Sequence, residues 1–204
     1  MIKKIIIASN NNHKIGEIQE ILKDLAVEVK SLKDEGIEVE VEEDGKTFEE
    51  NAKKKATEIR DILNARGDKD YIVMADDSGL EVDYLDGAPG VYSARYSGEH
   101  GNDRMNNKKL LRELEGVPES KRGGNFVCQL ALIDATGEYI SIRGEARGRI
   151  LAELSGEDGF GYDPLFYYEP YGKSFGELTS KEKNKVSHRA VALSKFRKKI
   201  KDLL

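Results

Sequence analysis

The apolar run Ile5-Ile6-Ile7-Ala8, stopped by Ser9-Asn10-Asn11-Asn12, constrains the fold more than any other feature of this chain. Consecutive apolar side chains leave no polar face for water, so residues 2–8 read as a buried strand. Beyond the polar stop, Ile15, Ile18, Leu22 and Leu25 recur at helical spacing. A strand, a polar loop and a helix in that order open an α/β chain. Tyr71 to Ala75 form another short apolar strand, which runs into Asp76-Asp77-Ser78-Gly79. That segment is expected to be a polar turn at a strand end, where a parallel-type sheet places its functional groups.

The remaining segments fit the same plan. Val27 to Val41 alternate Val and Glu as extended structure, and Thr47-Phe48-Glu49-Glu50 has the spacing of a capping box. The helix it opens carries Ala52, Ala56, Ile59 and Leu63 on its apolar face. Asn102 to Leu114 is expected to be helical. Asn125 to Ile133 and Glu138 to Glu145 flank a turn-like Asp134-Ala135-Thr136-Gly137 as a hairpin. Gly156 to Asp163 is a glycine-rich aromatic loop, and the tail from Thr179 is helical, with Leu193, Phe196 and Ile200 facing a core. Repeats, linkers and low-complexity tracts are absent. The expectation is one α/β domain over residues 1–204, with a mixed, twisted sheet and flanking helices.

With 33 basic and 38 acidic side chains the net charge is −5, which argues against general nucleic-acid binding. The charge is uneven: residues 34–50 hold nine acids against Lys46, and residues 181–201 hold nine Lys and Arg against Glu182. One stretch suits cations and the other phosphates, although two solvated surfaces would give the same composition. No apolar run approaches the roughly 20 residues that cross a bilayer, and the start does not read as a signal peptide. The single Cys128 sits in an apolar stretch and has no internal disulfide partner, so a reducing cytoplasm is expected.

Four constellations carry possible chemistry. Ser9-Asn10-Asn11-Asn12-His13-Lys14 joins a strand to a helix N-terminus, where backbone N–H groups, the helix dipole and Lys14 attract phosphate. Turn formation and capping explain the same residues, and His13 reads as surface or cap. Asp76 and Asp77 follow a buried strand, so a cation must offset them, and Glu43 and Glu50 could complete an oxygen-rich Mg²⁺ site. Glu50 also has a local capping role, and Glu43 belongs to an acidic run. Gly159-Phe160-Gly161-Tyr162-Asp163-Pro164 combines backbone freedom, flat rings and a carboxylate, which suits a planar base stacked on Phe160 or a tight turn packed in the core. Lys183, His188 and Arg189 lie on the basic tail, where Lys183 could meet phosphate and Arg189 could donate to a base oxygen.

Together these segments resemble the inosine triphosphate pyrophosphatase family across nearly the whole chain. The resemblance rests on Thr47-Phe48-Glu49-Glu50-Asn51-Ala52, Ala75-Asp76-Asp77-Ser78-Gly79-Leu80, Pro89 through Tyr96, Gly159 through Pro164, and Ser187-His188-Arg189, in that order. It implies an elongated α/β fold with two lobes around a nucleotide cleft, usually a homodimer. The implied reaction is hydrolysis of ITP, dITP or XTP between the α- and β-phosphates, with Mg²⁺, to the monophosphate and pyrophosphate. By position, Ser9, Asn10, Asn11, Asn12, His13 and Lys14 would bind triphosphate with Lys55. Asp77 would hold Mg²⁺ and act as base, and Ser78 would touch substrate. Phe160, Gly161, Tyr162 and Asp163 would frame base and sugar, and Lys183, His188 and Arg189 would complete the pocket.

In one respect the chain departs from the family, whose phosphate loop usually carries glycines where Asn10 and His13 stand here. Both residues keep their backbone N–H groups. Two other activities use the same features: a pyrophosphatase acting on modified pyrimidine or methylated nucleotides, and a nucleotide sensor that binds without hydrolysis.

Overall fold

The structure, a computed structural model, describes residues 4–200. Residues 2 and 3 of the expected first strand and residue 201 of the basic tail lie outside that range. Seven strands form one mixed sheet: β1 (Lys4–Ala8), β2 (Glu28–Ser31), β3 (Tyr71–Val82), β4 (Gly123–Asp134), β5 (Tyr139–Ile150), β6 (Phe166–Tyr168) and β7 (Lys173–Ser174). Their order is β2-β1-β3-β4-β5-β6-β7. β1 runs parallel to β2 and β3, whereas β6 is antiparallel to both β5 and β7. The helices are α1 (Asn12–Leu22), α2 (Phe48–Ala65), α3 (Asp103–Glu113), α4 (Ser180–Val186) and α5 (His188–Ile200).

The chain divides into two compact units. The first comprises Met1–Asp77, Cys128–Gly144 and Ala192–Leu204, and the second Ser78–Val127 and Glu145–Val191. In the first unit the two-residue period of the strands sends alternate side chains to opposite faces. Ile5 and Ile7 of β1, Ile72 and Met74 of β3, and Cys128, Leu130 and Leu132 of β4 pack with Ile18 and Leu22 of α1 and Leu193, Phe196 and Ile200 of α5. On the other face Ile6, Ala8, Val73, Ala75 and Ala131 pack with Ala52, Ala56, Ile59 and Leu63 of α2. β1 is therefore covered on both faces, as its unbroken apolar run requires. The second unit has its own core, including Leu80, Val82, Leu110, Phe126, Ile150, Tyr162, Phe166 and Phe175.

Four expectations need correction. Asp76 to Gly79 are not a turn but the middle of β3, which continues because Leu80 and Val82 find apolar partners in the second core. Only Glu28–Ser31 of the Val27–Val41 stretch pairs as a strand, and residues 38–46 follow no regular element. The Thr47 hydroxyl accepts from Glu50 N at 3.1 Å, but the Glu50 carboxylate accepts from Lys46 N at 2.6 Å, so the expected box is displaced by one residue. The tail is two helices: Ser187 is extended (φ −66°, ψ 159°), and its hydroxyl accepts from Ala190 N at 3.1 Å, starting a new helix.

Candidate active site

In the first unit the site is organised by β3. Asp76 and Asp77 are adjacent in a strand, so their side chains leave opposite faces of the sheet. Asp77 follows the alternation of Val73 and Ala75 toward α2, where Asn51 Nδ2 donates to its Oδ2 at 3.0 Å. Lys55, one turn further along α2, donates to Glu43 Oε1 at 2.6 Å and to the Asp76 carbonyl at 2.7 Å. Both Asp77 and Lys55 are buried. Burial pushes the Asp77 carboxyl above its ordinary range, and Glu43 pushes it further, against the pull of Lys55 and Lys14 and the Asn51 bond. Asp76 follows Ile72 and Met74 toward α1, where its Oδ1 accepts from Lys14 Nζ at 2.8 Å and its Oδ2 from Cys128 Sγ at 3.3 Å.

The loop before α1 closes on itself. Asn11 caps the helix, its Oδ1 accepting from His13 N at 3.0 Å and Lys14 N at 3.1 Å, and Ser9 Oγ accepts from Asn11 N at 3.2 Å. These are the donors expected to meet phosphate, so an arriving anion competes with Asn11 and Ser9 for them. Asn10 Nδ2 donates to Val39 O at 2.9 Å and ties the loop to the segment after β2. Asn12 and His13 are exposed.

Four carboxylates were expected to gather around a metal. Among the described residues, no three His, Cys, Asp or Glu side chains form a group able to hold one. Asp77 and Glu43 fit a divalent cation: one is buried with its charged form disfavoured, and the other adds repulsion to it. Mg²⁺ takes few protein carboxylates and fills its shell with water and phosphate oxygens, so two suffice. Asp76 points the other way with both oxygens engaged, and the exposed Glu50 serves the turn before α2.

The second unit holds the other expected group. Asp163 is the hub: its Oδ2 accepts from Phe160 N at 2.8 Å and from Lys183 Nζ at 2.6 Å, and both partners of the ion pair are buried. The Lys183 ammonium lies 4.4 Å from the centre of the Phe160 ring. Gly159 makes this possible, because its φ is +81° and a Cβ there would stand 2.1 Å from Asp163 Oδ2. Helix α3 grips the same loop, with Asp103 Oδ2 accepting from Gly161 N at 2.7 Å and Asn107 Nδ2 donating to Gly161 O at 2.8 Å. Tyr162 belongs to the core, and its hydroxyl donates to Ser93 O at 2.8 Å. Arg189 is wholly buried, with Nη2 donating to Ser78 Oγ at 3.3 Å. His188 stacks on Phe126 with ring centres 4.8 Å apart and planes 12° from parallel. The break at Ser187 puts Lys183 on α4 and places His188 and Arg189 in the first turn of α5.

Sequence reasoning missed Asn51, Cys128, Ser93, Asp103 and Asn107 as site-supporting residues. Asn51 stood inside a quoted motif, and its position one turn before Lys55 was the available signal. Ser93 likewise lay within Pro89 through Tyr96, whereas Cys128, Asp103 and Asn107 contact the site only through tertiary packing.

A mixed sheet flanked by helices, with a buried acid paired to a lysine in each compact unit, defines an α/β protein. The chain belongs to the Ham1 family, whose model matches residues 5–199. It is 57% identical over 202 residues to a dITP/XTP pyrophosphatase of Clostridium perfringens, covering 99% of each chain. It is 48% identical to a protein of the same description from Clostridium tetani, covering 99% of this chain and 98% of that one. Among solved structures, the Staphylococcus aureus Ham1 protein matches with a TM-score of 0.85 at 38% identity, covering 99% of this chain and all of that one.

Proposed function

We propose that this chain is a Mg²⁺-dependent nucleoside triphosphate pyrophosphatase that hydrolyses dITP, ITP and XTP to the monophosphate and pyrophosphate. The observation that carries the chemistry is Asp77, a buried carboxylate with a raised pKa, held by Asn51 and flanked by Lys55 and Glu43. The choice of substrate rests on the 57% identity to the Clostridium perfringens dITP/XTP pyrophosphatase. The whole chain serves this one activity as a homodimer in the cytoplasm. The homodimer rests on the family resemblance and the cytoplasm on the lone Cys128, which cannot form an internal disulfide.

In this mechanism Asp77 accepts the proton of the attacking water, as a carboxylate held within reach of the reacting phosphate can. Asn51 fixes the carboxylate by donating to one oxygen, leaving the other for water or metal. Lys14 and Lys55 take up negative charge on the triphosphate. Asp77 and Glu43 would hold Mg²⁺, which would supply charge neutralisation and orientation of the phosphates. Phe160 stacks on the base, and Lys183 and Arg189 donate to it or to phosphate. A donor facing position 6 rewards an oxo group and is left unpaired by adenine's amino group.

The test is a substrate panel with pyrophosphate as the readout. A much higher kcat/KM is expected for dITP and XTP than for dATP, dGTP, dCTP or dTTP. Equal turnover across the panel would reject the preference for non-standard purines, and ITP binding without pyrophosphate release would favour a sensor.

A further inference from the structure

Asp76 stands beside the proposed base yet belongs to the opposite face of the sheet. Its side chain is fully shielded from solvent, and burying a carboxylate is costly unless partners satisfy it. Lys14 is the charged partner, at 2.8 Å, and the Cys128 thiol satisfies the second oxygen. Lys14 itself sits in the first turn of α1, where the helix dipole disfavours a cation, so the pair relieves both groups. The two surrounding elements are fixed by packing: Cys128, Met74 and Ile18 share one core cluster.

We propose that Asp76 is a positioning residue that acts through Lys14: it is the built-in counter-ion with which incoming phosphate must compete, and it is not a metal ligand. The Lys14 part of this inference rests on the functional reading above. An anion that draws Lys14 toward itself does so against the Asp76 carboxylate, so Asp76 loosens the hold on both substrate and departing pyrophosphate. Removing its charge takes away the carboxylate that holds Lys14 at 2.8 Å, so Lys14 is drawn more readily to the anion and the product sticks.

The experiment measures binding of inorganic pyrophosphate by calorimetry, in EDTA, to wild type, Asp76→Asn, Lys14→Met and the double variant. Asp76→Asn is expected to bind pyrophosphate about fivefold tighter, the size of one screened charge at close range. That gain is expected to vanish in the Lys14→Met background, because the two residues act as one unit. Turnover of dITP should show lower kcat with lower KM, and half-saturating Mg²⁺ should stay within about twofold. Unchanged or weaker pyrophosphate binding overturns the inference, as does a gain that persists without Lys14, or a tenfold shift in the Mg²⁺ requirement. If Asp76→Asn does not fold, Cys128→Ala is the variant to use. Losing the weak S–H donor throws more of the Asp76 charge onto Lys14, so pyrophosphate should bind about twofold weaker, and equal or tighter binding overturns the inference. Because the pyrophosphate titrations need no turnover, they stand apart from the dITP assay: an inactive wild type would reject the functional reading alone.

Discussion

At the scale of single residues, the proposed mechanism rests on Asp77, whose carboxylate Asn51 holds on the α2 face of β3. Asp77→Asn keeps the size and one acceptor oxygen but loses the charge and the basicity. Loss of a general base lowers rates by roughly 10²- to 10⁴-fold, so kcat for dITP at saturating Mg²⁺ is expected to fall by that much while thermal unfolding stays near wild type. A folded variant with near-normal kcat would move the base role to another group. Asp76 and Asp77 could be singled out together in the sequence because they follow an apolar strand, and only the family resemblance chose Asp77. Its separation from Asp76 could not be read there, since adjacent carboxylates look like a pair until the strand is known to continue. Cys128 is the counterpart: a thiol in an apolar run reads as a small hydrophobe, and only the packing of β4 against β3 brings it to Asp76.

At the scale of elements, turns and helix ends hold the site, and their hydrogen bonds are open to test. The turn between β4 and β5 closes around Asp134, whose Oδ1 accepts from Thr136 Oγ1 at 2.7 Å, Thr136 N at 2.9 Å, and Gly137 N and Glu138 N at 3.0 Å each. Burial pushes this carboxyl up, but the four donors outweigh it and hold the pKa below the ordinary range. A pKa depressed by folding adds stability that is complete above the unfolded value, near pH 4, and is lost as pH falls through the folded value. Asp134→Ala is therefore expected to cost about 1–3 kcal/mol at pH 7, and the difference from wild type should shrink below about pH 4 in thermal melts across pH. A difference that does not change with pH would remove the charge from the explanation. The hairpin itself was legible from its turn residues. The break at Ser187 was not, because a serine between two basic helical stretches marks a cap only when the chain on either side packs in different directions.

At the scale of the whole molecule, the C-terminal helix completes the core of a unit that begins at the other end of the chain. Phe196 is buried among Ile5, Ile18, Met74 and Leu130, so Phe196→Ala opens a cavity in that core. The expected cost is about 3–5 kcal/mol, or a fall in Tm of roughly 10 °C in calorimetry, and a shift under about 2 °C would show that this residue does not bear on the core. The helical stripe of Leu193, Phe196 and Ile200 announced a buried face. Which strands it would cover was left open, because apolar periodicity specifies a face and not its partner. By itself the sequence determined the alternation of strands and helices, the mixed sheet and the resemblance to a pyrophosphatase family, and it nominated the candidate site residues. These follow from local period, capping chemistry and ordered motifs. Only the tertiary structure decided that Asp76 and Asp77 face opposite ways, that Asp163 joins Lys183 to the Phe160 loop, and that Cys128 touches a carboxylate. Each of those pairings joins residues distant in the chain or depends on a strand's register, and no local pattern encodes which distant group will fill the space beside a side chain.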